Sequence, residues 1–249
     1  MVNLYYIMLL NVRNLTVRYG SFIAVNSLNF SVNSEVYCLL GPNGAGKSST
    51  LKAIMDMVPF EGNIEILGKS NKEKFVKNYV GYVPEQPALY EYMTPSEIIS
   101  FVASLRGIND LNRINALVKA FSLEMFMNTP IASLSMGNRQ KVSILLSLIH
   151  EPKLLILDEP FNALDVLSVK VLKELIQSHV KNGGGVLFST HIMEVAEKIC
   201  NRIGIMNKGI MVMETSSDNI REAGRSLEDV FLSVTGLDET IKDILKGLE

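Results

Sequence analysis

The sequence lacks a disulfide framework. Its only cysteines are Cys38 and Cys200, both among apolar neighbours, where a buried structural thiol in a reducing compartment is expected. Neither sign of charge is in excess: 24 Lys and Arg stand against 26 Asp and Glu, a net charge of −2. Attachment to nucleic acid by bulk charge is thereby excluded. A membrane span is missing as well. The most apolar run, residues 142–149, is broken by His150, Glu151, Pro152 and Lys153, well short of the roughly 18–20 residues that cross a bilayer. Residues 1–10 are apolar but have no basic n-region and no small-residue cleavage site, so they make a poor signal peptide. Met8 is expected to be the native start, because the fold pattern begins after it. Low-complexity tracts and internal repeats are missing too. What is abundant is apolar side chain, 47% of 249 residues. That is enough for a sizeable core in one large domain, expected in the cytosol, with apolar surface left over for a partner.

Residues 9–40 alternate apolar and polar, as in Leu28-Asn-Phe30-Ser-Val32, which predicts antiparallel strands turning at Gly20-Ser21. Val36-Tyr-Cys-Leu-Leu40 is continuously apolar, as in a strand buried on both faces. A helix is predicted from Lys47, with Leu51, Ile54, Met55 and Val58 apolar and Pro59 as its stop. Short strands follow over 61–83. The lysine-rich stretch from Lys69 to Lys77 reads as a solvated helix face. From Thr94 the character is helical. Thr94-Pro-Ser-Glu97 is a capping box, with Ile98, Phe101, Val102 and Leu105 as the expected apolar stripe. Further helices are predicted over 111–123 and 135–148. The alternation of strand and helix then resumes: strands at 153–157, 186–189, 202–206 and 210–213, helices at 165–180 and 192–200, and two short helices within 226–248.

Chemistry concentrates at the end of the first buried strand. Gly41-Pro-Asn-Gly-Ala-Gly46-Lys47-Ser48 fits the phosphate-loop pattern G-x-x-x-x-G-K-[ST], and it lies between a buried strand and a helix, as that pattern requires. Glycines let successive backbone N–H groups point inward at phosphate oxygens, and the following helix adds its positive end. Lys47 is expected to reach the β- and γ-phosphates and Ser48 to face Mg²⁺. The alternative, a glycine-rich turn with a stray lysine, leaves the strand-loop-helix context unexplained. A second strand, Leu154-Leu-Ile-Leu157, delivers Asp158 and Glu159 at its carboxyl end. Asp158 would hold Mg²⁺ and Glu159 would polarise an attacking water. Read blandly, the pair merely ends a strand.

Leu134-Ser-Met-Gly-Asn-Arg-Gln-Lys141 lies 17 residues before this pair and resembles the signature of ATP-binding cassette proteins. Asn162-Ala-Leu-Asp165 resembles their D-loop, Phe188-Ser-Thr-His191 their histidine switch, and Tyr19 the aromatic residue that stacks on adenine. The motif order agrees over about residues 9–215. The resemblance implies an α/β fold: a P-loop NTPase, RecA-like core sheet with an N-terminal antiparallel β subdomain and an α-helical insert. The core would comprise about 9–89 and 151–215, the insert about 90–150 and a helical tail 216–249, in a single domain. It also implies an ATPase with ATP and Mg²⁺ as ligands. Tyr19, Gly41, Asn43, Gly44, Ala45, Gly46, Lys47, Ser48 and Ser49 would bind nucleotide. Through Ser135 and Gly137 the chain would also cap the ATP held by a second ATP-binding subunit, either another copy or a paralogue. Glu159 and His191 would be catalytic.

Met136 and Asn138 depart from the glycine and glutamine usual in the signature, though Ser135 and Gly137 remain. In Tyr82-Val-Pro84-Glu85-Gln86-Pro87 either Glu85 or Gln86 could reach Mg²⁺ as the Q-loop residue. Transport would need separate integral membrane subunits, with the chain peripheral on the cytoplasmic face of the membrane. The apolar stretch Pro87-Ala-Leu-Tyr90-Glu-Tyr92-Met93 is the expected contact. The ending Arg225-Ser-Leu-Glu-Asp-Val-Phe-Leu-Ser-Val-Thr-Gly236 is similar to the tail of exporter-type cassettes. Two other readings are weighed. A soluble cassette of translation or repair usually has two cassettes or a long coiled coil, which 249 residues do not hold. A module that binds ATP without turning it over would not need both Glu159 and His191.

Overall fold

A computed structural model describes residues 8–224 and 226–236. Strand β1 (Leu10–Tyr19) turns at Gly20 into β2 (Phe22–Val32). Gly20 has φ +60°, where a β-carbon is disfavoured. β1 also pairs with β4 (Glu61–Ile66), which is followed by the two-residue β5 (Lys69–Ser70). This antiparallel sheet has the order β2-β1-β4-β5.

The second sheet has the order β10-β9-β3-β8-β7-β6. Its strands are β3 (Val36–Leu40), β6 (Val80–Val83), β7 (Leu154–Asp158), β8 (Gly185–Thr190), β9 (Arg202–Asn207) and β10 (Ile210–Ser216). All pairings are parallel except that of β10 with β9. The continuous apolar runs of β3, β7 and β8 are buried along their whole length. Side chains alternate between faces with period two, so each run feeds two cores. Cys38, Leu40, Leu155, Leu157, Val186 and Phe188 face the core shared with the helices. Tyr37, Leu39, Leu154, Ile156 and Leu187 face the core under the antiparallel sheet.

Helix α1 (Lys47–Ile54) follows β3. Helices α2 (Pro95–Leu105), α3 (Asn112–Ala120) and α4 (Met136–Leu148) lie between β6 and β7. Then come α5 (Val166–Lys181), α6 (Met193–Ile199), α7 (Ser217–Glu222) and α8 (Leu227–Thr235). The capping box of α2 is present: Thr94 accepts from the Glu97 amide and Glu97 accepts from the Thr94 amide. The register places Leu40 beside Thr190 and Asp158 beside Ser189. The carboxyl ends of β3, β7 and β8 therefore open side by side, the place where α/β sheets of this kind bind ligands.

Several local expectations are corrected. The helix from Lys47 ends at Ile54, short of Val58, because the chain turns at Asp56 with φ +57°; Pro59 is not what stops it. The inward face of α2 is Ile98, Ile99, Val102 and Ala103, whereas Phe101 and Leu105 are 45% and 71% exposed. The Lys69–Lys77 stretch forms β5 and part of a 3₁₀ turn (Lys74–Tyr79), so it is not a helix face, though Lys69, Lys72 and Lys74 are exposed. Of the two helices expected within 226–248, α8 is present and the remainder lies outside the described residues; α7 was not foreseen. Cys38 and Cys200 are both free and buried. Among the described residues, no helix is long and apolar enough to cross a membrane.

Candidate active site: a phosphate loop facing two carboxylates and a histidine

The loop after β3 is shaped by glycine where nothing else fits. Gly46 has φ +101°, and a β-carbon there would lie 2.4 Å from the Ala24 carbonyl oxygen. As N-cap of α1, Gly46 provides no capping side chain, so the first-turn N–H groups remain directed at the space above the loop. Lys47 is buried, and its Nζ donates to the carbonyl oxygens of Gly41 at 2.6 Å and Pro42 at 3.2 Å. It also lies 3.6 Å from Glu159 Oε1. The ammonium thus holds the loop closed and meets the first carboxylate opposite it.

Asp158 ends β7 inside the protein. Its Oδ1 accepts from Ser48 Oγ at 3.0 Å and from Ser189 Oγ at 2.5 Å. Burial raises the Asp158 pKa above the usual carboxylate value, and the two hydroxyl donors oppose the shift. Its Oδ2 is buried without a hydrogen-bond partner among the described residues. Glu159 follows in a left-handed conformation, φ +47°. Its amide donates to Ser189 Oγ at 3.0 Å, and its Oε1 lies 3.0 Å from His191 Nδ1. Glu159 Oε2 is a second buried oxygen without a partner among the described residues. A hydroxyl and carboxylates with free oxygens suit a hard, oxygen-seeking cation. Ser48 and Asp158 would hold Mg²⁺ there, with Glu159 nearby.

A cavity of about 270 Å³ opens above the loop, lined by Tyr19, Phe22, Ala24, Asn43, Gly44, Ala45, Gly46, Lys47, Ser48, Ser49, Glu85 and Glu159. The lining combines two exposed aromatic rings, Tyr19 and Phe22, with the loop N–H groups and the Lys47 ammonium. An aromatic base joined to a polyphosphate matches that distribution. Glu85 is on the lining and Gln86 is not. Gly41 heads the loop, and a β-carbon there would lie 2.5 Å from the Met206 carbonyl oxygen.

Ser135 and Gly137 are not on this cavity. Ser135 caps α4, accepting from the Asn138 amide at 3.3 Å. A β-carbon on Gly137 would meet the Ala163 carbonyl oxygen at 2.4 Å. Lys141 of α4 bridges to Asp165, the N-cap of α5, at 2.6 Å. That contact pulls the Asp165 pKa down to about 2. Met136 at the start of α4 and Val166 and Leu167 at the start of α5 project into solvent. Sequence reasoning missed Phe22, Ala24 and Ser189 as site residues. Ser189 was visible only as part of the histidine motif, because its contacts depend on the pairing of β7 with β8. Phe22 could have been noticed as an aromatic residue two positions after the turn glycine.

The family model described as "ABC transporter" matches residues 25–162. An uncharacterized ABC transporter ATP-binding protein, YhaQ of Bacillus subtilis, is 32% identical over 220 residues, 86% of this chain and 74% of that protein. The bacitracin transport ATP-binding protein BcrA of Bacillus licheniformis is 32% identical over 88% of this chain and 74% of its own. The lantibiotic transport ATP-binding protein SrtF of Streptococcus pyogenes is 31% identical over 90% of this chain and 96% of its own. A solved ATP-binding subunit of an ABC transporter superposes with TM-score 0.85 at 32% identity, over 91% of this chain and 99% of the other. The cassette MJ0796, solved as a dimer in a post-hydrolysis state with ADP and Pi, has the same fold with TM-score 0.75 at 24% identity, over 84% and 98%. The phosphate loop and Glu159 line the cavity, while Asp158 and His191 stand behind it, bonded to Ser48 and Glu159; with that arrangement and relatives along nearly its whole length, the chain belongs to the ABC transporter family, as an ATP-binding and ATP-hydrolysing subunit.

Proposed function

We propose that two cassettes close head to tail on ATP. The loop Gly41–Ser49 of one subunit holds the triphosphate, and the α4 N-terminus of the other, at Ser135 and Gly137, covers it. The observation that carries this reading is the contact chain Lys47–Glu159–His191 beside Ser48–Asp158, all within 3.6 Å. It is a phosphate-binding group and a proton acceptor already facing each other. In the free subunit Lys47 spends its donors on Gly41 and Pro42. ATP supplies better acceptors, so Lys47 moves to the β- and γ-phosphates. Glu159, relieved of Lys47, takes the proton of the attacking water. His191, hydrogen-bonded to Glu159 through Nδ1, steadies that carboxylate and leaves Nε2 for the γ-phosphate. Ser48 and Asp158 hold the metal ion; Mg²⁺ when bound neutralises phosphate charge. Tyr19 and Phe22 stack on the adenine. Glu85 serves as the Q-loop residue, since it reaches the cavity lining.

The opposed α4 end supplies N–H groups and the positive helix end that one subunit alone cannot bring to its own nucleotide. Met136, Val166 and Leu167, exposed on the same side, would be covered by the second copy. Hydrolysis then releases the clamp. Work is delivered to separate integral membrane subunits, with this chain peripheral on the cytoplasmic face. Tyr90 and Tyr92 are exposed after β6, with Phe101 beside Tyr90 in an edge-to-face contact. They offer an apolar seat for a short helix of that partner. Leu89 and Met93 turn inward and fix the loop. Export is the favoured direction: the ending that includes α8 is exporter-like, and relatives are named for bacitracin and lantibiotic transport. The test is the total ATPase rate against protein concentration. A pairing ATPase rises faster than linearly until dimers saturate. Strict proportionality together with a monomeric mass in MgATP would refute the pairing. Purification from detergent-solubilised membranes tests the partner, since a polytopic protein is expected to accompany the chain.

A further inference from the structure

We infer that Ser189 is the positioning residue of the ATPase site, the single hydroxyl that holds both the Asp158 carboxylate and the backbone turn that presents Glu159. Asp158 and Glu159 are adjacent in sequence, yet their tasks differ: one must turn an oxygen to a metal ion, the other to a water. Nothing within residues 158 and 159 fixes either direction. Ser189, from the neighbouring strand, fixes the Asp158 carboxylate and the backbone at Glu159, whose carboxylate then meets His191 and Lys47. The parallel ladder sets it directly beside Asp158. Its hydroxyl proton goes to Asp158 Oδ1 at 2.5 Å, while its oxygen accepts the Glu159 amide at 3.0 Å. The carbonyl of the same residue lies 3.2 Å from that amide as well. Ser189 thus locks one oxygen of Asp158, leaves Oδ2 free, and holds the left-handed turn at Glu159, which a β-carbon disfavours.

The role sharpens when nucleotide and metal arrive. Asp158 Oδ1 has two donors in the free subunit, Ser48 and Ser189. Ser48 is the group expected to turn to the metal ion. Ser189 is then the remaining side-chain donor to Asp158 among the described residues. Ser189 has no exposed surface, so water cannot take its place without the strands parting. An alanine at 189 would leave Asp158 buried with one fewer donor at the moment the second leaves, and its carboxylate could rotate. Threonine keeps the hydroxyl; alanine and valine do not.

This inference rests on reading Asp158 as metal holder and Glu159 as proton acceptor, so its test includes Glu159→Gln. In Ser189→Ala, binding of a fluorescent ATP analogue without divalent metal is expected to match wild type. The Mg²⁺ concentration that half-maximally tightens binding should rise several-fold. Turnover should fall about tenfold or more, as for loss of a hydrogen bond to a charged group. Ser189→Thr should restore the metal dependence, with melting curves verifying that each variant is folded. A folded Ser189→Ala protein with wild-type metal dependence and turnover would overturn the inference, and this result decides the matter even if the threonine variant does not fold. Equal losses in the alanine and threonine variants, proportional to the unfolded fraction, would also overturn it, by reducing Ser189 to packing. If Glu159→Gln hydrolyses ATP normally, the reading of the carboxylates fails, whatever Ser189 does.

Discussion

Replacing Glu159 by glutamine separates chemistry from binding, because the proposed mechanism gives that carboxylate two roles. Its Oε1 lies 3.0 Å from His191 Nδ1 and 3.6 Å from Lys47 Nζ. Glutamine keeps an acceptor in that position and removes the charge. The loss of a proton acceptor is worth about 10²–10⁴-fold in turnover, about 3–5 kcal/mol of barrier. The effect on binding has the opposite sign. A pair of unit charges at 3.6 Å attracts by about 4–5 kcal/mol at an effective dielectric near 20. Desolvation of two buried side chains offsets most of that. Lys47 freed from Glu159 should therefore gain about 1 kcal/mol toward phosphate, tightening ATP by about fivefold. The variant also places an amide nitrogen where Glu159 Oε2 now has no partner, so folding stability should fall by about 1–3 kcal/mol. Phosphate-release kinetics and calorimetric titration with MgATP measure the two effects separately. A variant that turns over ATP at the wild-type rate, or binds it tenfold more weakly, would refute the assignment of Glu159 and its competition for Lys47.

Two further perturbations follow from local geometry. Gly46→Ala forces a β-carbon to within 2.4 Å of the Ala24 carbonyl oxygen at φ +101°. It should cost about 3 kcal/mol in chemical denaturation and weaken nucleotide binding, because α1 must shift. His150 accounts for part of the acid sensitivity. Burial, helped by Arg106 and Arg113, pushes its pKa down to about 4 from 6.5. The unfolded chain then binds a proton between pH 6.5 and 4 that the folded protein refuses, so stability falls across that window and His150 contributes nothing above it. His179 is lowered by burial in the same sense, while the raised Asp158 works oppositely. Urea midpoints at pH 7.5 and 4.5 should differ less in His150→Phe than in wild type; an unchanged difference would contradict the assignment.

How much the sequence disclosed depended on the range of the interaction. The phosphate loop and the carboxylate strand are local patterns of apolar run, glycine and charge, and they are found where the pattern puts them. The α2 stripe is misread from sequence because its inward face is set by packing on α4, so Ile99 and Ala103 turn inward and Phe101 outward. The early end of α1 rests on a left-handed Asp56, which residue type alone does not announce. The hydrogen bonds of Ser189 cross 31 and 30 residues and exist only because β7 and β8 pair in one register. Similarly, the approach of Gly137 to Ala163 needs α4 and the loop before α5 to be folded together.

The complementarity of the two half-sites can be measured directly by mixing two inactive proteins. Lys47→Ala spoils the phosphate loop and keeps the α4 end; Ser135→Arg does the reverse. If nucleotide is held between two subunits, each variant alone is inactive. An equimolar mixture should recover activity, about a quarter of wild type if dimers form at random and sites act independently. A Ser135→Arg protein that hydrolyses ATP as fast as wild type by itself, with no gain on mixing, would contradict it.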